Sequence, residues 1–388
     1  MSLLRRLALL SVLVFACDSS PEVSASRCSL AKGQVVARHP GLRFHGVKLL
    51  GWRSEFVAVW SDADGLWLRR LDLQGTPLAA PTRMADACPG GLDATPMADR
   101  LVVACSRPAA AEGETGELAV YGITPDVTRA DPIVLGSTGR DGRGVAVSSQ
   151  GTRVHVVFHE GSLGRHVVHW AVLDGEHVLE NKVVSDVRRV AGQPASLVDR
   201  GHHYALWSES ELDAQPASRT GVWLKQDDAP PRRVAQTSVV EAAPSLSREG
   251  EQLLLAFRDQ QARDKRSELY VTRLNAALTP VSKPVRVGRA NGEGMPRLAR
   301  CGSVHAAVLP REYGGEHYVA VHELDAQLGN RGGGHQYYAN TREFVMASWA
   351  CADAPDGADK TALTLLIGER ANPSRPGVEL MTLRFSCP

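Results

Sequence analysis

His155, His159, His166 and His169 crowd one short stretch of the chain, with Glu160 among them. Imidazole and carboxylate are common zinc ligands, so the cluster raises the question of a metal. The residues read as one hairpin. At ~3.3 Å per residue, His155 and His159 stand ~13 Å apart along a strand, too far to share an ion with ligands at ~2 Å. His166 and His169 point to opposite faces, and His202-His203 makes no better site. No metal and no cofactor is expected. The stretches "GSTGRDGRG" (136–144) and "GNRGGGH" (329–335) have the glycine content of a phosphate cradle. The first leads into a strand, where a cradle needs a helix N-terminus; both are assigned to connections between repeat units. No G-x-S-x-G, H-E-x-x-H or Walker sequence occurs, so the common hydrolase and nucleotide signatures are absent.

"SDADGLWL" (61–68) resembles the Asp-box turn of sialidase-like propellers, S-x-D-x-G-x-x-W, with Ala63 where that motif has its aspartate and a shortened acid-to-glycine spacing. A plain hairpin turn on Asp64-Gly65 is the expectation, because Asp-Gly is a preferred turn dipeptide. Sialidases use an arginine triad over a central channel, but the spacing of the 37 arginines here selects no three.

The front of the chain carries an address. Arg5 and Arg6 precede an apolar run, Leu7 to Ala16, the order of an export signal and too short for a membrane span of ~20 residues. Val14-Phe15-Ala16-Cys17 resembles the bacterial lipobox, with Phe15 where a small residue is usual. The resemblance implies that Cys17 is the lipid attachment, carrying diacylglycerol and palmitate, after removal of residues 1–16. Residues 17–28 read as a flexible tether, and 29–388 as one domain. The formal charge is +1, and losing two arginines makes it about −1; such a body lacks the basic footprint of a nucleic-acid binder. A monomer hung from the membrane of a bacterial cell envelope is expected.

Any site must be positioned by a repeat. "FVAVWSDADGLWLRRLDLQGTPL" (56–78) and "LLLAFRDQQARDKRSELYVTRLNAALTPV" (253–281) share one plan: an apolar run, a polar loop, an alternating run and a turn. The first run ends at Trp60, Cys105, Phe158, Trp207, Phe257, Val308 and Ile367; the second at Leu71, Ile123, Leu173, Leu224, Leu274, Leu324 and Leu383. Short alternating runs between Gly, Pro, Asp and Asn signal strands and turns. Four such strands every ~40–50 residues mark propeller blades. The expected fold is all-β: a seven-bladed β-propeller with four-stranded antiparallel blades. The seventh unit ends after its third strand, so "GQVVAR" (33–38) is expected to close the ring as an N-terminal strand, removing an open edge.

Setting Cys17 aside leaves six cysteines, for which composition allows fifteen pairings. Ring closure favours Cys28–Cys387, Cys88–Cys105 and Cys301–Cys351. The loops between second and third strands are the longest and most variable, and loops on a rigid scaffold commonly recognise partners. Arg258, Asp259, Arg311 and Glu312 are the candidate ligand-face residues, for a polar protein or glycan. The first functional reading is a lipid-anchored, non-catalytic binding or scaffold protein. The alternative is a glycan-active enzyme, a sialidase-like hydrolase or lyase, with its site at the central channel. Charged groups converging at the channel mouth favour the enzyme; an uncharged or plugged channel favours the scaffold.

Overall fold

The computed structural model describes residues 29–39, 44–109, 116–126, 128–129, 131–139, 142, 144–162, 165–211, 220–239, 242–260, 267–290, 297–301, 304–313, 316–338, 343–353, 361–370 and 378–386. Cys17, Cys28 and Cys387 lie outside them. The described residues form strands and turns, with no helix among them. After β1 (Ser29–His39) comes an antiparallel sheet of β2 (Gly46–Trp52), β3 (Glu55–Asp62), β4 (Gly65–Leu71) and β5 (Thr82–Ala85). The next holds β6 (Leu92–Pro96), β7 (Leu101–Arg107), β8 (Glu117–Ile123) and β9 (Ile133–Gly136). Then follow β10 (Val145–Gln150), β11 (Arg153–Ser162), β12 (Arg165–Asp174) and β13 (His177–Val183). A parallel bridge from His166 to Val190 joins these to β14 (Arg189–Asp199), β15 (His202–Glu211), β16 (Thr220–Gln226) and β17 (Arg232–Thr237), making one sheet of eight strands. Two more four-stranded sheets follow: β18 (Ser245–Glu249), β19 (Gln252–Gln260), β20 (Ser267–Leu274), β21 (Val285–Arg289); and β22 (Arg297–Cys301), β23 (Val304–Tyr313), β24 (Glu316–Leu324), β25 (Asn330–Tyr338). Last, β26 (Glu343–Asp353), β27 (Thr361–Arg370) and β28 (Val378–Ser386) take β1 as their fourth strand.

The first strands of these groups touch in order around a ring: β2, β6, β10, β14, β18, β22, β26 and back to β2. This is a propeller-like arrangement, and its core lies between sheets. Strand β7 shows why its sequence is apolar throughout. Leu101, Val103 and Cys105 pack with Val57, Val59 and Leu66 of the preceding sheet. Val102 and Ala104 face the other way, onto Val147, Val154 and Val156. A strand's side chains alternate between faces, so a strand covered on both sides needs apolar residues at both parities. Fully burying each leucine or valine contributes about 1.5–3 kcal/mol. The recurring positions at Trp60, Cys105, Phe158, Trp207, Phe257 and Val308 are all buried, as are their partners from Leu71 to Leu383.

Closure joins the two ends of the described chain. β1 runs antiparallel to β28, with Ser29 opposite Ser386 and His39 opposite Val378. Where β1 bulges, Gln34 N donates to Thr382 Oγ1 at 2.9 Å. Gly33 is required there, since a Cβ would stand 2.1 Å from the same oxygen. A second device repeats between third and fourth strands. Asp72 N donates to Thr76 O at 2.9 Å, Asn275 N to Thr279 O at 3.0 Å, and Asp325 N to Gly329 O at 2.9 Å. The residue three places on is left-handed each time: Gly75 (φ 80°), Leu278 (φ 57°) and Leu328 (φ 67°). Burial of Leu278 and Leu328 offsets the backbone cost that glycine avoids.

Two disulfides are present, Cys88–Cys105 and Cys301–Cys351, with Cα separations of 5.3 and 5.4 Å. The first ties the segment entering β6 back to β7; the second joins the innermost strands β22 and β26 of consecutive sheets. One assignment from the sequence needs correction. Asn330 to His335 of "GNRGGGH" are not a connection between units but part of β25, paired to β24 with His335 opposite Val321. Glycine content misled because an outer strand needs only its backbone to hold the ladder. "GSTGRDGRG" does connect β9 to β10, and it packs closely: a Cβ on Gly142 would lie 1.8 Å from Thr138 O.

Candidate functional site

The ring of innermost strands encloses a cavity of about 580 Å³, and β2, β6, β10, β14, β18, β22 and β26 all contribute to its wall. Each of these strands follows a connection between units and ends at its own hairpin. At the connection end sit Lys48, Asp93 and Arg297, early in β2, β6 and β22; near the hairpin end sit Asp199, Arg248 and Arg300.

Lys48 Nζ contacts Asp93 Oδ1 at 2.6 Å, and Val147 N donates to Asp93 Oδ2 at 2.8 Å. Both carboxylate oxygens are thus engaged. Arg297 comes from three sheets further round the ring, yet feels this carboxylate. Burial pushes its guanidinium below the usual arginine range, and the charge of Asp93 opposes that shift. At the other end, Arg248 Nε donates to Asp199 Oδ2 at 2.6 Å. Among the described residues, four cationic side chains line the cavity against two carboxylates. The wall also presents hydroxyls, some of them structural. Leu49 N donates to Ser348 Oγ at 2.9 Å and Leu298 N to Ser245 Oγ at 3.2 Å, satisfying the inner edge of one sheet from its predecessor.

Ser196 in that wall lies 2.6 Å from Ser148 Oγ and 2.9 Å from His203 Nε2. The contact has the elements of a nucleophile and its base. It is incomplete. Burial first, then the charges of His155 and Lys225, push His203 down to about 2. Its Nδ1 is buried without a hydrogen-bond partner, so no third group orients the ring as a relay requires.

The structure brings the histidines singled out in the sequence together only in pairs. His155 stacks on His203 with centroids 4.2 Å apart, and His159 Nε2 lies 3.4 Å from His166 Nδ1. His169 Nε2 meets Glu160 Oε2 at 2.7 Å. No group of three metal-binding side chains occurs among the described residues. The Asp-box-like stretch forms the β3–β4 hairpin, with Asp62 as its clamp. Asp62 Oδ1 accepts from Asp64 N at 2.9 Å, Gly65 N at 3.2 Å and Trp67 Nε1 at 2.9 Å.

Asp259 is likewise turned inward: its Oδ1 accepts from Ser238 N at 2.6 Å and from Gln260 N at 2.8 Å. Arg258 Nε donates to Ser267 Oγ at 3.0 Å. Arg311 is half-buried in β23, and the Glu312 backbone pairs opposite His317; the Glu312 side chain lies outside the described residues. A signal for this was available. Asp62, Glu160, Glu209 and Asp259 each stand two residues after the aromatic of the repeat, and all four bond within the protein, Glu209 to Trp207 Nε1 at 2.7 Å. The channel residues, by contrast, carry no local motif.

No family model and no curated protein matches the chain. Solved structures do. Polysaccharide lyase Uly1 aligns over 88% of this chain and 90% of its own at 10% identity, with a TM-score of 0.53. A neuraminidase-like protein from A/bat/Guatemala/164/2009 aligns over 93% and 96% at 8% identity, TM-score 0.50. An alpha-L-arabinanase of Penicillium chrysogenum aligns over 91% and 98% at 9% identity, TM-score 0.49. At such identities the likeness concerns the fold alone.

Proposed function

We propose that the chain is a glycan-active propeller whose central channel takes an anionic carbohydrate. The observation that carries this is the set of charges lining the channel among the described residues, Lys48, Arg248, Arg297 and Arg300 with Asp93 and Asp199, in a chain of formal charge only +1. A low-dielectric cleft lined by one sign of charge concentrates ligands of the other. Wall hydroxyls such as Ser196 and Ser247 suit the hydroxyls of a sugar. That the aligned structures include a polysaccharide lyase and a neuraminidase-like protein supports a carbohydrate as the substrate class. The test is incubation with uronate-bearing and sulfated polysaccharides, following new reducing ends and the ultraviolet absorbance of an unsaturated uronate. Turnover lost in Arg297→Gln supports the reading.

The non-catalytic alternative has one observation of its own. Both described channel carboxylates are held in ion pairs, which leaves no free acid–base couple among them. Binding without product would select it. The remaining architecture is proposed on the same footing. Seven blades result if the eight-stranded sheet is two blades meeting at the His166–Val190 bridge. Cys28–Cys387 would lock the ring beside the Ser29–Ser386 pair. Cys17 would hang a monomer from the membrane of a bacterial cell envelope.

A further inference from the structure

Outside the channel, a pocket of about 460 Å³ opens between the first two sheets. Its wall takes Arg83 from β5, Arg107 from the end of β7, Tyr121 from β8 and Arg129 from the turn after β8. None of these residues lines the channel. Arg107 and Arg129 both lie over the Tyr121 ring, 5.8 and 5.5 Å from its centroid. Arg107 also donates to the Tyr121 hydroxyl oxygen and pairs with Glu117, while Arg83 pairs with exposed Asp86 at 3.0 Å. Arg129 has no carboxylate partner among the described residues; its guanidinium donates to Met84 O at 2.8 Å.

Asp86 also lines the pocket, so one carboxylate stands against three guanidinium groups and a phenol, and donors outnumber acceptors. Arg107 Nε is buried with no hydrogen-bond partner. Burial raises the Tyr121 phenol above its ordinary range, so it keeps its proton, and that proton has no acceptor among the described residues. A buried donor left unmatched costs about 1–3 kcal/mol. Two guanidinium groups drawn to one ring also repel each other. A species that only accepts hydrogen bonds and carries negative charge answers both conditions, and guanidinium forks match oxyanions bidentately.

We propose that Arg83, Arg107, Arg129 and Tyr121 form an oxyanion site, taking a sulfate or carboxylate group. The group is carried on a glycan or arrives as the free ion. The site is independent of the channel reading: it draws on different strands and would stand if the channel bound nothing.

The test is isothermal titration calorimetry on the intact, oxidised protein at constant ionic strength set with chloride. The probes are sodium sulfate and a chondroitin sulfate tetrasaccharide. Arg129→Gln is expected to weaken binding at least tenfold with only a small fall in melting temperature, since Arg129 is exposed and gives up its bond to Met84 O. Arg129→Lys should recover part of the loss by charge alone, and Tyr121→Phe should lose several-fold while keeping the ring. Arg297→Gln serves as the control for the channel. Sulfate binding lost in Arg129→Gln, with no tetrasaccharide binding at the pocket, assigns the free ion as ligand. Loss of both probes assigns a glycan-borne group. Binding of both probes unchanged within twofold in Arg129→Gln overturns the proposal.

Discussion

Replacing Asp93 tests the channel electrostatics and the ring packing together, with opposite signs. Asp93 accepts from Lys48 Nζ at 2.6 Å and from Val147 N at 2.8 Å. In Asp93→Ala the Val147 amide loses its acceptor, at about 1–3 kcal/mol. Breaking a fully buried ion pair costs ~3–5 kcal/mol, but the Lys48 side chain is 31% exposed and can turn to water, so ~1 kcal/mol is the better figure. The expected loss is about 2–4 kcal/mol. Asp93→Asn keeps an oxygen for Val147 and should lose only about 1 kcal/mol. Both variants remove a negative charge from a channel that is already cationic. At ~6 Å and an effective dielectric of ~40, one charge is worth about 1.4 kcal/mol, roughly tenfold in affinity. Urea unfolding with disulfides intact reads the first effect, and calorimetry with an oligouronate reads the second. The expected pattern is lower stability with tighter anion binding. Wild-type stability in Asp93→Ala, or weaker anion binding in Asp93→Asn, would refute the account of how Lys48, Asp93 and Arg297 set the field.

Other outcomes follow from the same geometry. The Cys301–Cys351 bond spans 50 residues and Cys88–Cys105 spans 17; loop-closure entropy predicts losses of about 4 and about 3 kcal/mol for the Cys→Ser pairs, ordered by unfolding midpoint. Because His203 is held near 2 and His155 is also lowered, the unfolded chain binds protons that the folded one does not. Stability is therefore full above ~6.5 and falls as pH drops, by up to ~1.4 kcal/mol per unit per histidine; His203→Phe should flatten the slope between pH 7 and 5. Non-reducing peptide mapping should recover Cys28–Cys387, and free thiols at both positions would remove the proposed lock. Globomycin should make a precursor accumulate if Cys17 is lipidated, whereas normal processing and membrane association of Cys17→Ser would exclude lipidation.

The repeat was legible because one physical cause, burial on both faces, imprints the same apolar run on each second strand. Phe158 and Phe257 could be placed without knowing the ring. Strand β25 escaped because the ladder to β24 needs only its backbone, so a run of glycines there looked like a linker. The candidate site was illegible for a different reason. Lys48, Asp93 and Arg297 come from distant parts of the chain, and only the curvature of the ring makes them neighbours. At Asp259 the charge and the loop were legible, but not the bond that its carboxylate accepts from Ser238 N.

The pairing of β1 with β28 also sets a clock. Ser29 is among the first described residues to leave the ribosome, and its partner Ser386 is among the last. At ~5–20 residues per second, synthesis separates the two by roughly 20–70 s. Through that interval β1 has no ladder to join, and the β26-facing flank of β2 stays bare. Every other sheet can assemble in sequence behind the elongating chain, but the ring must wait for its final strand. An unpaired strand edge is a template for association with other chains. The vulnerable species is therefore a nearly complete ring, open at one seam.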